Sequence, residues 1–471
     1  MKVFNLLLLL TLCSVVSGKT YYVAPNGNDN NPGTITQPWK TWGKAFNWET
    51  VAAGDTVYFR GGIYYKNISE GDDDWYYPAR SSNGTGYAIT RNGVLNDTLC
   101  YFTYPGETPV LDCVYTSPPG VSNYGIRCTG VNYVKFKGLT IRNVLQVRSE
   151  VEARGWNIIA TNTVIENCSV YNIQGNGFRI EGANNLFLIN CDAYNCNNSL
   201  DSYPGSQGTG FRTLGTNPNY KVYFIGCRAW KNSDQGFSLG DEYNELRNCW
   251  SFANTGEATG DGHGFKLGWL DYDATNLRRL VINCIAAYNA GSGFTTNDNG
   301  YPYAGLTHIY NNTSYSNDIG FIVFNTKDSE TDELRRTFRN NLAYDNTYDV
   351  YIMSGASYTH SNNSWDASPS VTVTDSDFLT LDSIGLSGAR KGDGSLPDLN
   401  FLKLASSSDL IDAGIDLGLN DNGTLPDIGA YESIGSIPVE IKVTGIAVTG
   451  AAGSSQISQD NGTLQLSATI T

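Results

Sequence analysis

Gly260-Asp261-Gly262-His263-Gly264-Phe265-Lys266-Leu267-Gly268 is the stretch that decides the fold of this chain, because it is one copy of a recurring pattern. The recurring feature is a Gly-Phe pair, which stands at residues 177–178, 210–211, 236–237, 264–265, 293–294 and 320–321. Successive pairs are 33, 26, 28, 29 and 27 residues apart. Self-similarity at a period of roughly 20 to 50 residues is typical of stacked-repeat architectures, so the sequence predicts a solenoid.

A second signature of asparagine, cysteine and tyrosine accompanies the Gly-Phe pairs. Its copies begin near Glu166, Ile189, Ile282, Tyr310 and Arg339. Apolar and polar residues alternate between the turn-forming asparagines, which predicts short strands, and no repeat has room for a helix of about ten residues as well. Three short strands in each repeat predict an all-β fold, a right-handed parallel β-helix. We expect the asparagines at one corner to form a structural ladder of side chains.

The two ends of the chain differ from the repeats. Residues 1–18 have a basic start, an apolar run and small residues at the end, which is the pattern of a secretory signal peptide. Residues 19–435 are expected to form the β-helix, with a short capping helix within residues 39–51 that covers the first coil. Residues 436–471 are rich in Val, Thr, Ile and Gly, and we expect a linker and the start of a truncated bacterial immunoglobulin-like module.

Composition excludes several classes of partner. The formal net charge of −15 disfavours nucleic acid, and beyond the signal segment no stretch is apolar enough to cross a membrane. We therefore expect a monomer that is secreted, extracellular, or held in the periplasm or at the cell surface.

The ten cysteines of an exported protein would ordinarily favour disulfides. Five of them recur at one place in the repeat, Cys168, Cys191, Cys227, Cys249 and Cys284. This spacing favours stacked buried thiols, which pack as small apolar side chains. A disulfide between Cys100 and Cys113 stays open.

One strand face is expected to carry positive charge. If each phenylalanine of a Gly-Phe pair enters the core, the next residue points to solvent, because strand side chains alternate. In successive coils that residue is Arg127, Asn157, Arg179, Arg212, Ser238, Lys266, Thr295 and Ile322. Coils are separated by about 4.8 Å, so Arg212 should lie about 10 Å from Lys266. This basic column would bind an anionic polymer, although long cationic side chains also solvate sheet surfaces.

Three stretches resemble a known family. They are Gly-His-Gly-Phe-Lys-Leu-Gly at 262–268, Asn-Ser-Asp-Gln-Gly-Phe at 232–237, and Tyr-Tyr-Val-Ala-Pro-Asn-Gly at 21–27. Together they are similar to polysaccharide lyase family 9, the pectate lyase and rhamnogalacturonan lyase group, over residues 20–432. The resemblance implies a right-handed parallel β-helix, a lysine as Brønsted base and calcium bound by a cluster of aspartates. The lysine corresponds to Lys266.

The calcium cluster implied by this resemblance is incomplete. Where the family has two consecutive aspartates and a third shortly after, only Asp234 matches, and Gln235 and Ser238 stand at the other two positions. The aspartate expected one coil earlier falls at Gly208. Calcium takes about six to eight oxygen ligands. Either Asp234, Asp261 and Gln235 bind it weakly, or the ion has been lost.

The chemistry that the family implies is β-elimination, which removes the C5 proton of a uronic acid and expels the C4 oxygen. Lysine is a poor base at its reference pKa of about 10.4, and nearby cations favour its neutral form. Without calcium, Arg212 and Arg179 are expected to neutralise the substrate carboxylate. His263 is either the proton donor or a turn residue with a structural hydrogen bond. Trp269 and Tyr301 either stack on sugar rings or pack within the protein.

The predicted function is therefore that of a secreted polysaccharide lyase that cleaves a uronic-acid-containing polysaccharide of the pectate or rhamnogalacturonan type. One alternative is a glycoside hydrolase on the same fold, which needs paired carboxylates about 5 to 9.5 Å apart. No Asp-Asp pair lies between the motifs at residues 232–234 and 262–264, which counts against it. The other alternative is a non-catalytic glycan-binding β-helix.

Overall fold

The computed structural model describes residues 18–47, 50–65, 93–114, 123–146, 149, 152–215, 217–240, 242–256, 259–268, 276–298, 305–326, 335–419 and 425–433. Its strands form parallel ladders in which each strand pairs with the strand one coil earlier and one coil later. We name these ladders A, B and C, and each complete coil visits them in that order. The predicted parallel β-helix with three short strands in each coil is confirmed.

The strands of the three ladders have the following bounds. Ladder A consists of Tyr124–Asn132, the first part of Ala153–Glu166, Gly175–Ile180, Phe211–Thr213, Gln235–Ser238, His263–Lys266, Ser292–Thr295, Ile319–Val323 and Tyr348–Ile352. Ladder B consists of Thr20–Val23, Thr56–Phe59, Leu99–Thr103, Val134–Lys137, the last part of Ala153–Glu166, Asn184–Ile189, Lys221–Ile225, Tyr243–Arg247, Arg279–Ile282, Thr307–Tyr310, Arg336–Arg339 and Thr359–Ser361. Ladder C consists of Gly62–Tyr65, Pro109–Asp112, Thr140–Val144, Ser169–Ile173, Asp192–Cys196, Arg228–Trp230, Trp250–Phe252, Ile285–Ala287, Thr313–Tyr315 and Leu342–Tyr344.

The Gly-Phe pairs build the centre of the core. From Phe178 to Phe321 the phenylalanine rings of successive coils are buried and stacked, with ring centroids 4.8 or 4.9 Å apart. The preceding glycine is needed because the coils approach each other closely there. A Cβ atom added at Gly264 would lie 2.6 Å from the carbonyl oxygen of Gly293 in the next coil.

Asparagines form the predicted ladder at the corner that follows ladder C. Each side-chain amide donates to the side-chain oxygen of the next one, over distances of 2.7 to 3.1 Å, through Asn232, Asn254, Asn289, Asn317 and Asn346. Every member of this series up to Asn317 is buried, so the amides also satisfy backbone groups that water does not reach.

The recurring cysteines are buried thiols, as predicted. Cys100 and Cys113 are buried thiols as well, so the alternative of a disulfide between them is wrong. Cys100 lies in the ladder B strand Leu99–Thr103, whereas Cys113 follows the ladder C strand Pro109–Asp112, and both side chains are completely buried.

A helix covers the first coil, as predicted, but it is shorter than the periodic stretch and spans Trp42–Phe46. Thr41 caps its first turn by accepting a hydrogen bond from the Lys44 backbone N–H at 3.1 Å. Trp42 is buried against Phe59, with ring centroids 4.5 Å apart. None of the helices that the structure describes has the length and apolar character required to cross a membrane.

The described residues beyond Asp366 form a long irregular segment that packs along the outer face of ladder C. Phe378, Phe401 and Leu410 join an apolar cluster with Trp230 and Phe252 of that ladder. The signal peptide and the immunoglobulin-like module were predicted from residues 1–18 and 436–471, of which residues 1–17 and 436–471 lie outside the described part of the chain.

Candidate active site

Ladder A brings the predicted column of outward-facing residues together. Arg179, Arg212, Ser238, Lys266 and Thr295 are Cα partners in successive coils. The register follows from the phenylalanine stack, because each of these residues comes directly after a core phenylalanine and therefore points the opposite way.

Lys266 ends the strand His263–Lys266 and lines a depression on the surface of ladder A. Its ammonium nitrogen Nζ lies 2.6 Å from Oδ2 of Asp261, and its side chain is 19% exposed. The depression is also lined by Gln207, Arg212, Asp234, Gln235, Ser238, Thr259, Asp261 and Asn297. The amine is therefore accessible from the surface and turned away from the apolar interior.

Asp234 and Asp261 share one amide donor. Nε2 of Gln235 donates to Oδ1 of Asp234, and it lies 3.1 Å from Oδ2 of Asp261. The Asp261 backbone N–H also donates to Oδ1 of Asp234, at 3.1 Å. The amide oxygen of Gln235 accepts from the Thr209 hydroxyl at 3.1 Å, and the amide nitrogen faces Asp234 and Asp261, whose carboxylate oxygens accept hydrogen bonds.

The two carboxyl groups have opposite pKa shifts. Burial raises the pKa of Asp234 to about 7, although the positive charges of Lys266 and Arg212 oppose the shift. Burial alone would also raise the pKa of Asp261, but the adjacent Lys266 ammonium outweighs it and lowers that pKa below its ordinary value. Asp261 is thus the ionised partner of Lys266 at neutral pH.

His263 has a defined tautomer in this site. Its Nδ1 accepts a hydrogen bond from the Ser292 backbone N–H at 2.8 Å, so the ring proton of the neutral imidazole is on Nε2. Nε2 lies 3.9 Å from Oδ2 of Asp261, the same oxygen that Lys266 contacts. Burial lowers the pKa of His263 to about 4, and Lys266 contributes to the shift while Asp261 opposes it.

The two predicted arginines are engaged with carboxylates that the sequence analysis did not identify. Nε of Arg179 lies 2.8 Å from Glu181, and its Nη1 contacts Glu152. Nη1 of Arg212 lies 3.8 Å from Glu152 and also contacts the side-chain oxygen of Gln207. Of the two arginines, Arg212 lines the depression that contains Lys266, and Arg179 lies one coil further along the column.

Of the two carboxylates, Glu181 could have been predicted from the sequence as a partner of Arg179. Glu181 stands two residues after Arg179, the spacing that puts strand side chains on the same face. Glu152 gave no such signal, since it precedes the strand Ala153–Glu166 and reaches arginines of later coils. Trp269 and Tyr301, predicted to contact sugar, lie outside the residues that the structure describes.

The residues of this site do not fit calcium. Within the described parts of the chain, no group of three or more His, Cys, Asp or Glu side chains could hold a metal ion. Gln235 turns N–H groups, not oxygen, towards both carboxylates. At Gly208, where the resemblance implies an aspartate, an added Cβ would overlap the Ser233 hydroxyl and lie 2.5 Å from the carbonyl oxygen of Cys196.

Comparisons with known proteins agree with the fold. Residues 21–341 match the family described as Pel9A-like, right handed beta helix region. Pectate lyase L of Dickeya dadantii (strain 3937) is 29% identical over 436 residues, which cover 89% of this chain and 92% of that protein.

Solved structures show the same relationship. The crystal structure of pectate lyase Pel9A superposes with a TM-score of 0.71 and 27% identity, over 89% of this chain and 98% of that one. A rhamnogalacturonan lyase gives a TM-score of 0.67 and 26% identity, over 83% and 97% of the two chains. The right-handedness predicted from the sequence agrees with the family description. The chain therefore belongs to the Pel9A-like family of right-handed β-helices and is a polysaccharide lyase.

Proposed function

We propose that the chain cleaves a uronic-acid-containing polysaccharide, of the pectate or rhamnogalacturonan type, by β-elimination with Lys266 as the base. The observation that carries this proposal is the position of Lys266. Its amine lies in a surface depression on ladder A, two coils from Arg212, where an extended polymer can lie along the stack. Relatives named pectate lyase and rhamnogalacturonan lyase support this class of substrate.

The elimination assigns a step to each group. Nζ of Lys266, in its neutral form, removes the C5 proton, and the electron pair left on C5 forms a double bond to C4. The bond between C4 and the glycosidic oxygen breaks, and that oxygen takes up a proton. Asp261 is 43% exposed, so water reaches the site and can supply this proton.

Arg212 is the cation that this proposal places beside the substrate carboxylate. It is the member of the arginine column that lines the depression with Lys266. Its positive charge would stabilise the negative charge that develops on the uronate as the C5 proton leaves.

The contacts of His263 favour its structural role over that of proton donor. Its Nδ1 already accepts the Ser292 N–H, and its lowered pKa leaves it uncharged at neutral pH. A neutral imidazole in this tautomer links its strand to the neighbouring coil through the Ser292 N–H.

Asp261 holds Lys266 in the resting site. Because a protonated amine has no lone pair to offer, the ion pair must open and the ammonium must release a proton to water, which reaches the site at Asp261, before Nζ can take the C5 proton. A uronate carboxylate entering beside Arg212 would compete with Asp261 for the ammonium group. We propose that this exchange accompanies substrate binding.

Export of the chain stays a prediction based on residues 1–18. It is consistent with a polymeric substrate, which a protein reaches outside the cell. That the chain acts as a monomer is also a prediction from the sequence.

The proposal is tested by incubating the protein with a panel of uronate polysaccharides that includes homogalacturonan and rhamnogalacturonan. We expect shorter chains whose new non-reducing ends carry a double bond conjugated to the carboxylate, detected by ultraviolet absorbance and by mass. Saturated products, heavier by one water, would instead indicate a hydrolase. Binding without cleavage of any polymer would indicate a glycan-binding protein.

A further inference from the structure

One oxygen of each carboxyl group beside Lys266, Oδ1 of Asp234 and Oδ2 of Asp261, already has two protein donors. Asp261 accepts from Lys266 at 2.6 Å and from Gln235 at 3.1 Å. Asp234, which is 5% exposed, accepts from Gln235 and from the Asp261 backbone N–H.

Gln235 occupies the place where a divalent cation would link the two carboxylates. Its Nε2 contacts an oxygen of each carboxylate, and the Thr209 hydroxyl holds the other end of the amide. An amide N–H group satisfies carboxylate oxygens but repels a cation. A calcium ion that needs about six oxygen ligands would meet two carboxylates and a donor group aimed at it.

The two other positions at which the resemblance implies an aspartate do not supply a carboxylate. Ser238 offers a hydroxyl in place of a carboxylate. Gly208 lies so close to Ser233 and to the backbone of Cys196 that a longer side chain there would displace the coil. A calcium site here would therefore require a change in the packing around Gly208 as well as a change of side chain at residue 235.

We infer that this lyase works without resident calcium, and that Gln235 replaces the ion as the bridge between Asp234 and Asp261. The inference rests on the proposed function for the role of the site, with Arg212 as the cation beside the substrate. The bridge between Asp234 and Asp261 depends only on the contacts around Gln235. Its prediction, that calcium does not bind, can therefore be tested by a binding measurement that does not require turnover.

The test compares three proteins by thermal unfolding and by calorimetric calcium titration. The wild-type protein should show no binding heat and no shift in melting temperature with calcium, and a chelator should leave its activity unchanged. Gln235→Glu has the same shape but places a third carboxylate between Asp234 and Asp261. We expect its melting temperature to fall without calcium and to rise by about 2 °C or more at saturating calcium.

Gln207→Glu is the matched control, since it makes the same change in the same depression. Gln207 contacts the guanidinium of Arg212, so the new carboxylate has a cationic partner and should give no calcium response.

The inference is overturned if the wild-type protein binds calcium stoichiometrically or loses activity to a chelator and regains it with calcium. It is also overturned if Gln235→Glu responds to calcium no more than Gln207→Glu does. A wild-type protein that is inactive on every uronate polymer, yet passes these tests, would refute the proposed function and leave the calcium inference standing.

Discussion

Glu152 controls how much positive charge the column on ladder A presents to a substrate. Its carboxylate contacts Nη1 of Arg179 and lies 3.8 Å from Nη1 of Arg212. It also accepts a hydrogen bond from Asn176 at 2.8 Å. A single carboxylate thus lies beside both of the arginines that were predicted to bind a polyanion, and Arg179 has Glu181 as a further partner.

Replacing Glu152 by glutamine should tighten binding of the polymer. The substitution removes a negative charge beside Arg212 and keeps the side-chain shape, so the KM for a uronate polymer should fall about fivefold, equivalent to about 1 kcal/mol. The turnover number should change little, because Glu152 does not line the depression with Lys266. Initial rates over a range of polymer concentrations measure both quantities.

Glu181→Gln is the matched control for this prediction. Glu181 pairs with Arg179 and Arg154 but has no contact with Arg212, so its effect on KM should be smaller. Equal effects of the two substitutions would show that Arg212 has no special part in binding.

Glu242 is a second residue whose ionisation should have a measurable consequence, in this case for the stability of the fold. It is completely buried, and its carboxyl group packs against the backbone at Gly215 and Gly240. Burial raises its pKa to about 7, while the guanidinium of Arg279 opposes the shift. The folded protein therefore holds a proton at Glu242 under conditions in which the unfolded chain has released it.

Stability should consequently fall as the pH rises through this window. Because the pKa is higher in the folded state, the proton stabilises the fold fully below about pH 4.5, and this contribution is lost progressively up to about pH 7. The difference in unfolding free energy between the wild type and Glu242→Gln should change by about 3 kcal/mol across the window, in favour of the variant at high pH. Denaturant unfolding of both proteins at pH 5 and pH 8 tests this. Parallel pH profiles would contradict the assignment.

At the scale of one element, the asparagine ladder at the corner after ladder C shows why the position of a turn can be predicted from the sequence. Asn289 donates to Asn317 at 2.8 Å and to the carbonyl of Ser251 at 3.0 Å, and it accepts from Asn254 at 2.7 Å. A side chain with both donor and acceptor is required at each level, which is why the residue type repeats at the period of the coil.

Asn289→Ala should cost about 3 kcal/mol of stability. The substitution leaves buried polar groups of Ser251, Asn254 and Asn317 without their partner, and unsatisfied buried groups are costly. Asn325→Ala is the comparison, since Asn325 makes an exposed bond to Ser354 and should cost less than about 0.5 kcal/mol. Chemical unfolding measures both costs. Similar values for the two variants would remove the energetic argument for the ladder.

At the scale of the whole molecule, the phenylalanine stack couples the coils. Phe265 lies between Phe237 and Phe294, with ring centroids 4.9 and 4.8 Å away, and it is completely buried. It also sets the direction of Lys266, the next residue. The stack thus links the stability of the solenoid to the geometry of the site.

Phe265→Ala should destabilise the protein by about 3 to 5 kcal/mol, because it opens a cavity in the middle of the stack. Coils of a repeat protein contact only their neighbours, so the defect should also make unfolding less cooperative. Calorimetry measures both effects. Phe324→Ala, at a half-buried position beyond the stack, should lose much less. A loss at Phe265 no greater than that at Phe324 would be inconsistent with this role.

The sequence was sufficient to predict the order of side chains along ladder A. Alternation in a strand is a local property, so the position after each phenylalanine identified Arg179, Arg212, Ser238 and Lys266 in their correct order. The asparagine ladder was predictable for the same reason, since its repeat is visible along the chain.

The partners of these side chains were not predictable, because they come from other coils. Glu152 precedes its own strand and reaches arginines of later coils. The direction of the Gln235 amide depends on Asp261, which belongs to the next coil, as well as on the adjacent Asp234. The packing of Phe378 and Phe401 on ladder C likewise joins residues far apart in sequence.

The central claim is that the amine of Lys266 removes the C5 proton. Lys266→Arg keeps the positive charge but offers no neutral base, because a guanidinium is not deprotonated in proteins. The measurement is the rate at which unsaturated product forms from the polymer that the wild-type protein cleaves, with the melting temperature recorded in parallel. Lys221→Arg, on an exposed part of ladder B, is the control and should keep its activity. We predict a folded Lys266→Arg protein whose turnover is reduced at least about 100-fold. Turnover close to that of the wild type in this variant would contradict the account.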